Sequence, residues 1–295
     1  MSVRQKLRDS LGRGPKHRPT GVAARRVPAP DIEAGSLLEV EGITVRFGGV
    51  VANNDVSFHC REGSITALLG PNGAGKTTMF NVISGQQRIA SGSVRFAGTD
   101  ITSAPSHVRA RLGMGRTFQN LSVVGELTVL ENVRVGASRF ASYGVGSAIL
   151  GLPHVARSDR RTTNVARQAI EAVGLSELSD TPASSLPYGD LRRLELARAL
   201  CLSPRLLLLD EPAAGLDNTE SRDLVRAIRG IRDHWGVTVL LVEHDLELVR
   251  SVSEYAYVLD FGTLLAGGAT RDVLNDPAVV AAYVGHADTN TPAGV

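Results

Sequence analysis

Cysteine is scarce in this sequence, with Cys60 and Cys201 the only two in 295 residues. Two isolated thiols exclude a disulfide framework and a cysteine-bound metal. Both have apolar neighbours, so they read as buried structural thiols of a reducing, cytosolic compartment. Long hydrophobic runs are also missing. The longest, at 206–209 and 237–242, are strand-sized and fall far short of the roughly 18 apolar residues of a membrane span. The N-terminal segment has no apolar stretch of the kind a secretory signal requires. No internal repeat is visible, and the net charge is only +2.

What is present is ordinary for a globular protein. Hydrophobic residues make up 43% and charged residues 21% of a chain long enough for one large domain or two lobes. The small net charge hides an uneven distribution. Residues 1–36 carry eight Lys/Arg against three Asp/Glu, which leaves the remainder slightly acidic. This tail is rich in Gly, Pro and Arg and lacks aromatics, a composition that predicts disorder. Val3, Leu7 and Leu11 offer a short apolar stripe beside the basic side chains. Contact with anionic lipid therefore stands beside the simpler account of a solvated tail.

The folded part begins near Leu37. Short strands are expected at 38–40, 44–47 and 56–60, punctuated by Gly42, Gly48-Gly49 and Asn53-Asn54-Asp55. Residues 64–69 read as a buried strand and 77–84 as a helix, followed by a glycine-bounded strand at 92–98. From about 101 to 185 the pattern is mainly helical, with helices at 129–137 and 162–173 and a loose stretch between them. A long helix follows Asp190. Apolar strands at 206–209 and 237–242, with a helix at 219–234 between them, are the signature of a buried parallel sheet. The expected fold is α/β: a phosphate-loop core over 37–285 with an N-terminal antiparallel β part, an inserted helical subdomain, and a short tail at 286–295.

The chemistry concentrates at Gly70-Pro71-Asn72-Gly73-Ala74-Gly75-Lys76-Thr77-Thr78, which fits G-x-x-x-x-G-K-[ST] at every fixed position. Strand, loop and helix occur in the order this motif needs. Its glycines let successive N–H groups turn inward on a polyphosphate, and the new helix adds its positive end. Lys76 can reach the β- and γ-phosphates and the Thr77 hydroxyl can ligate Mg²⁺. The chain is therefore expected to bind a nucleoside triphosphate. The strand at 206–209 ends in Asp210-Glu211. Asp210 can hold Mg²⁺ opposite Thr77, and Glu211 is placed to take a proton from an attacking water. The strand at 237–242 runs into Glu243-His244-Asp245. His244 can donate to the γ-phosphate, although a His after a strand is also an ordinary cap or surface residue. Gln119, after Gly115-Arg116-Thr117-Phe118, can touch Mg²⁺ and the water; alone it is a weak signal.

Together these motifs resemble the nucleotide-binding subunit of an ATP-binding cassette (ABC) transporter, over roughly 37–285. The resemblance implies a Walker A loop at Gly70 to Thr78, a Q-loop at Gln119, a Walker B strand ending in Asp210 with catalytic Glu211, a switch His244, and a D-loop ending in Asp217. It also places Phe47 where an aromatic ring stacks on adenine; a buried core Phe is the other reading of that residue. Phe47-Gly48-Gly49-Val50-Val51-Ala52, Gly115-Arg116-Thr117-Phe118-Gln119-Asn120, Arg192-Arg193-Leu194-Glu195-Leu196-Ala197-Arg198-Ala199-Leu200, Asn275-Asp276-Pro277 and Tyr283-Val284-Gly285 look like branched-chain amino-acid importers. Urea and amide importers are similar. The resemblance implies ATP and Mg²⁺, separate integral-membrane permeases, a second cassette subunit, an indirect role for a solute-binding protein, and a peripheral place on the cytosolic face. No nucleic-acid partner is expected, because cassettes acting on DNA or ribosomes generally carry two cassettes per chain or long coiled coils.

One motif departs from the family. The signature Leu-Ser-x-Gly-x-Gln is here Leu186-Pro187-Tyr188-Gly189-Asp190-Leu191. In the family this segment touches the γ-phosphate held by the partner cassette, through the Ser hydroxyl and nearby N–H groups. Pro187 supplies neither hydroxyl nor N–H. Gly189 and the following helix N-terminus are left to face the phosphate, and Asp190 adds a negative charge. The expectation is a heterodimer with one competent and one impaired ATP site. A partly degenerate regulatory cassette is the alternative, weakened by the intact Glu211 and His244.

Overall fold

The computed structural model describes residues 35–117, 123–137 and 153–287. The basic tail, Gln119 and most of the loose stretch of the helical insertion lie outside these residues, as does the C-terminal end after 287. Two sheets organise the chain. The first has four antiparallel strands in the order β2-β1-β4-β5, formed by β1 (Ser36–Phe47), β2 (Val50–Arg61), β4 (Ser91–Phe96) and β5 (Thr99–Asp100). The second has six strands in the order β10-β9-β3-β8-β7-β6: β3 (Ile65–Leu69), β6 (Met114–Arg116), β7 (Leu206–Asp210), β8 (Thr238–Val242), β9 (Tyr255–Asp260) and β10 (Thr263–Ala269). All its pairings are parallel except β9 with β10.

The three short strands expected before residue 61 are two long ones. Gly48-Gly49 does form the turn between them, but Gly42 and Asn53–Asp55 sit inside strands. The β1–β2 register shifts at Val40/Ile43 and Ile43/Val45, and Gly42 and Asp55 both take positive φ (57° and 55°). Turn-forming residues here make β-bulges, which bend a strand without ending it.

The uniformly apolar strands are explained by what covers them. Ile65, Ala67, Leu69, Leu207, Leu209, Val239 and Leu241 join one hydrophobic cluster, while Leu68, Leu206, Leu208, Leu240 and Val242 join another. Alternate residues thus face opposite sides, and both sides are dry. The first cluster takes in side chains of α3 (Val129–Ala137), α4 (Pro153–Ala172), α5 (Tyr188–Leu200), α6 (Asn218–Trp235) and α7 (Leu246–Val252). The second takes in α1 (Lys76–Ile83) and the antiparallel sheet. Helix α2 (Ser106–Arg111) and strand β6 fall within the 101–185 range expected for the helical insertion, but β6 pairs with β7. The core sheet therefore reaches into that range, and α5, beyond it, packs against α3 and α4. The chain closes with α8 (Thr270–Leu274) and α9 (Pro277–Ala287).

Candidate functional site

The parallel register brings the expected groups to one edge. Leu68, Val242 and Asp210 lie in one row across β3, β8 and β7. The segments leaving these strands, namely the phosphate loop, Glu243-His244 and Glu211, therefore emerge together at the carboxyl ends of the sheet. β8 lies between β3 and β7, so Glu243-His244 sits between the loop and Asp210-Glu211.

A cavity of about 450 Å³ opens there. Residues 72–78 and Glu211 line it together with Val50, Val51, Ala52 and Phe261. The loop is braced from below. Gly70 has φ 148°, and a side-chain carbon there would lie 2.2 Å from the Leu259 carbonyl oxygen. Gly75 has φ 97°, and such a carbon would meet the Asn53 amide nitrogen at 2.5 Å. Only glycine fits at either point. The buried Asn53 amide donates to Gly75 O at 3.3 Å. Lys76, also buried, donates to Gly70 O at 2.6 Å and Pro71 O at 3.0 Å. Burial pulls its pKa below the usual lysine value, and the nearby charges of Glu211, Asp210 and Glu243 oppose that shift.

Asp210 is buried at the end of β7, with Arg116 Nη2 3.6 Å from its Oδ2. Arg116 also donates to Asn81, Ser84 and Gln86 and lies over the Phe80 ring, so it joins β6 to α1 beside Asp210. Glu211 has a left-handed backbone (φ 46°), held by its N–H donating to Val242 O at 2.9 Å. Strain of this kind in a non-glycine residue concentrates at functional sites. His244 is exposed, its Nδ1 3.8 Å from Glu211 Oε1 and 3.9 Å from Glu243 Oε2. Glu243 is buried and accepts from the N–H groups of Ala213 and His244; desolvation raises its pKa above the usual glutamate value. Phe47 is half-exposed, so it is not a core residue. It pairs with Val50 across the β1–β2 turn, next to the cavity lining.

The signature segment is stitched to the D-loop. The Gly189 N–H donates to Glu220 Oε1 at 3.1 Å, and the Asp217 N–H donates to Glu220 Oε2 at 3.1 Å. Asp217 in turn caps α6 by accepting from the Thr219 and Glu220 N–H groups. The Gly189 N–H expected to face a phosphate is thus engaged by a carboxylate within the chain. Asp190 is ion-paired with Arg193, which offsets its added charge. Pro187 is the N-cap of α5 and makes no side-chain cap bond. Tyr188 packs near Gly215, and its hydroxyl accepts from Arg192 at 2.6 Å.

Two residues that sequence reasoning passed over hold the frame. Buried Arg109 donates to five carbonyls: Val82, Ile83, Ile101, Thr102 and Ala104. Two of these are the last carbonyls of α1, so a cation closes the helix whose first turn carries Lys76. Tyr283, quoted above only for its motif, accepts from the Gly70 N–H at 2.9 Å and ties α9 to the start of the loop.

A glycine-braced loop between a buried parallel strand and a helix, facing acids on neighbouring strand ends, defines a phosphate-loop nucleotide-binding protein. Comparison with known proteins narrows this. Residues 53–214 match the model of the family described as ABC transporter. The chain is 41% identical over 251 residues to the high-affinity branched-chain amino acid transport ATP-binding protein LivG of Salmonella typhimurium, covering 85% of this chain and 98% of that protein. Identity and coverage are the same for BraF of Pseudomonas aeruginosa, which carries the same description. The crystal structure of the ADP conformation of MJ1267, an ATP-binding cassette of an ABC transporter, superposes with a TM-score of 0.73 at 30% identity, covering 85% of this chain and all of that one. The chain belongs to the ABC transporter family, as an ATP-binding, ATP-hydrolysing cassette. Among the described residues no helix is long and apolar enough to cross a membrane.

Proposed function

We propose that this cassette hydrolyses ATP to power uptake of branched-chain amino acids, or a related small polar solute, through separate integral-membrane permeases. The observation that carries the hydrolytic reading is Glu211. It lines the phosphate-loop cavity in a strained conformation, with His244 3.8 Å away. The printed descriptions of LivG and BraF support the solute. In this reading the chain sits on the cytosolic face of the membrane and pairs with a second cassette, and a solute-binding protein delivers cargo to the permeases.

The residues present suit ATP with Mg²⁺. The cavity is lined by loop residues 72–78, Lys76 among them, and by Glu211, with Asp210 buried at the end of β7. Thr77, Asp210 and Gln119 would hold Mg²⁺; when bound, the ion offsets charge developing on the β- and γ-phosphate oxygens. Lys76 exchanges its two carbonyl acceptors for phosphate oxygens. Phe47 stacks on the adenine. Glu211 takes the proton of the water that attacks the γ-phosphorus, and His244 donates to a γ-phosphate oxygen. Asp217 and residues Leu186 to Asp190 serve the partner's site.

Pro187 makes the two sites of a dimer unequal. The site on this chain's own loop, completed by a partner's signature, is competent, and the reciprocal site is weakened. Loss of one charge-assisted hydrogen bond is worth about 1.5–3 kcal/mol, or about ten- to a hundredfold. The test is the transporter reconstituted in vesicles with its permeases and second cassette. Labelled leucine uptake and ATP hydrolysis should both collapse in Glu211→Gln, and Pro187→Ser should raise hydrolysis. Hydrolysis surviving Glu211→Gln would overturn the mechanism. ATP-driven transport that ignores branched-chain amino acids would overturn the solute alone.

A further inference from the structure

We propose that Phe261 is a nucleotide-contacting residue, forming with Val50 and Val51 the apolar wall that receives the base and ribose of ATP. The inference rests on ATP occupying the phosphate-loop cavity. Phe261 sits in the tight turn between β9 and β10, a region with no motif in the sequence. Three observations converge on it.

The ring is 78% exposed, yet it borders the same cavity as the phosphate loop. A scattered surface phenylalanine asks for no explanation; one at the rim of a ligand cavity does. Its backbone is left-handed, with φ 41°. Glycine or asparagine takes that conformation easily, whereas a bulky side chain is strained there. The turn is also fixed relative to the loop. The Gly262 N–H donates to Ala74 O at 3.1 Å, and the Asn54 N–H donates to Gly262 O at 2.8 Å. A side-chain carbon on Gly262 would lie 2.5 Å from the Ala52 carbonyl oxygen. The turn that carries the ring is thus held by the phosphate loop itself and by β2.

The lining is of two chemical kinds. Residues 72–78 belong to the phosphate loop and include Lys76, while Val50, Val51, Ala52 and Phe261 are apolar. The base and sugar are the parts of ATP with faces that carbon surfaces bind, and an aromatic ring adds stacking. Phe47 is not among the residues lining the cavity. Phe261 therefore adds, on the cavity wall itself, a second ring to the one that Phe47 brings from beside Val50.

The test measures binding of ATP and of inorganic tripolyphosphate to the purified full chain by titration calorimetry. Phe261→Asn should weaken ATP about 5- to 150-fold and tripolyphosphate less than about twofold, since tripolyphosphate lacks base and sugar. Thermal stability should rise in the same variant, because asparagine relieves the left-handed strain. Phe261→Tyr should keep ATP affinity. Unchanged ATP affinity in Phe261→Asn, or equal weakening of both ligands, overturns the proposal. Wild-type protein that binds neither ligand would instead strike at occupation of the loop by ATP.

Discussion

Tyr283→Phe tests whether the C-terminal helix is part of the nucleotide site. The substitution removes one oxygen and leaves the ring, so it opens almost no cavity. That oxygen is the acceptor of the Gly70 N–H at 2.9 Å. Gly70 is buried and cannot turn its N–H elsewhere: its φ of 148° and the Leu259 carbonyl against its α-carbon fix the peptide. Its own carbonyl is already engaged by Lys76 at 2.6 Å. An orphaned buried donor costs about 1–3 kcal/mol. Chemical denaturation should show a loss of that size. ATP affinity should also fall, by at most about 5- to 150-fold if the whole cost is felt as loop disorder that ATP must reverse. Burial raises the phenol's pKa to about 12, so it stays neutral and the deficit should not vary between about pH 6 and 9. Stability and ATP affinity both within experimental error of wild type would refute the argument, since a buried N–H without an acceptor cannot be free of cost.

Arg109→Met should be far more damaging, by about 3–5 kcal/mol in denaturant unfolding, because five carbonyls lose a charged donor at once; a loss below about 1 kcal/mol would mean water replaces the guanidinium. Glu243→Gln gives up one acceptor, because an amide offers a single oxygen to the N–H groups of Ala213 and His244, but it also removes a buried charge at neutral pH. Burial raises the Glu243 pKa, so the folded state favours the protonated carboxyl; that contribution is complete below 4.5 and is lost as pH rises through the folded value. The melting temperature of the variant relative to wild type should therefore rise from acid to neutral pH, and a constant offset would contradict the sign.

The phosphate loop, the acids ending β7 and the histidine after β8 were readable because each follows an apolar run that can only be a buried strand. Glycine is likewise required at Gly70 and Gly75 by positive φ and by the close approach of Leu259 and Asn53. The β-bulges at Gly42 and Asp55 were not readable, since the same residues end strands elsewhere and only the pairing of β1 with β2 decides the outcome. The residues of 255–269 carry no motif, yet they form β9 beside β3, and then β10.

The sequence by itself pointed to a phosphate loop, to Asp210, Glu211 and His244 at the ends of neighbouring strands, and to a signature segment, because these depend on residue type and local spacing. Only the tertiary structure decided what stands around the loop. Strand order put β8 between β3 and β7, the bulged sheet delivered Val50 and Val51, the β9–β10 turn delivered Phe261, and α9 delivered Tyr283 to Gly70. Tyr283 and Gly70 are 213 positions apart. Contacts at that separation follow from the packing of whole elements, which no local pattern records.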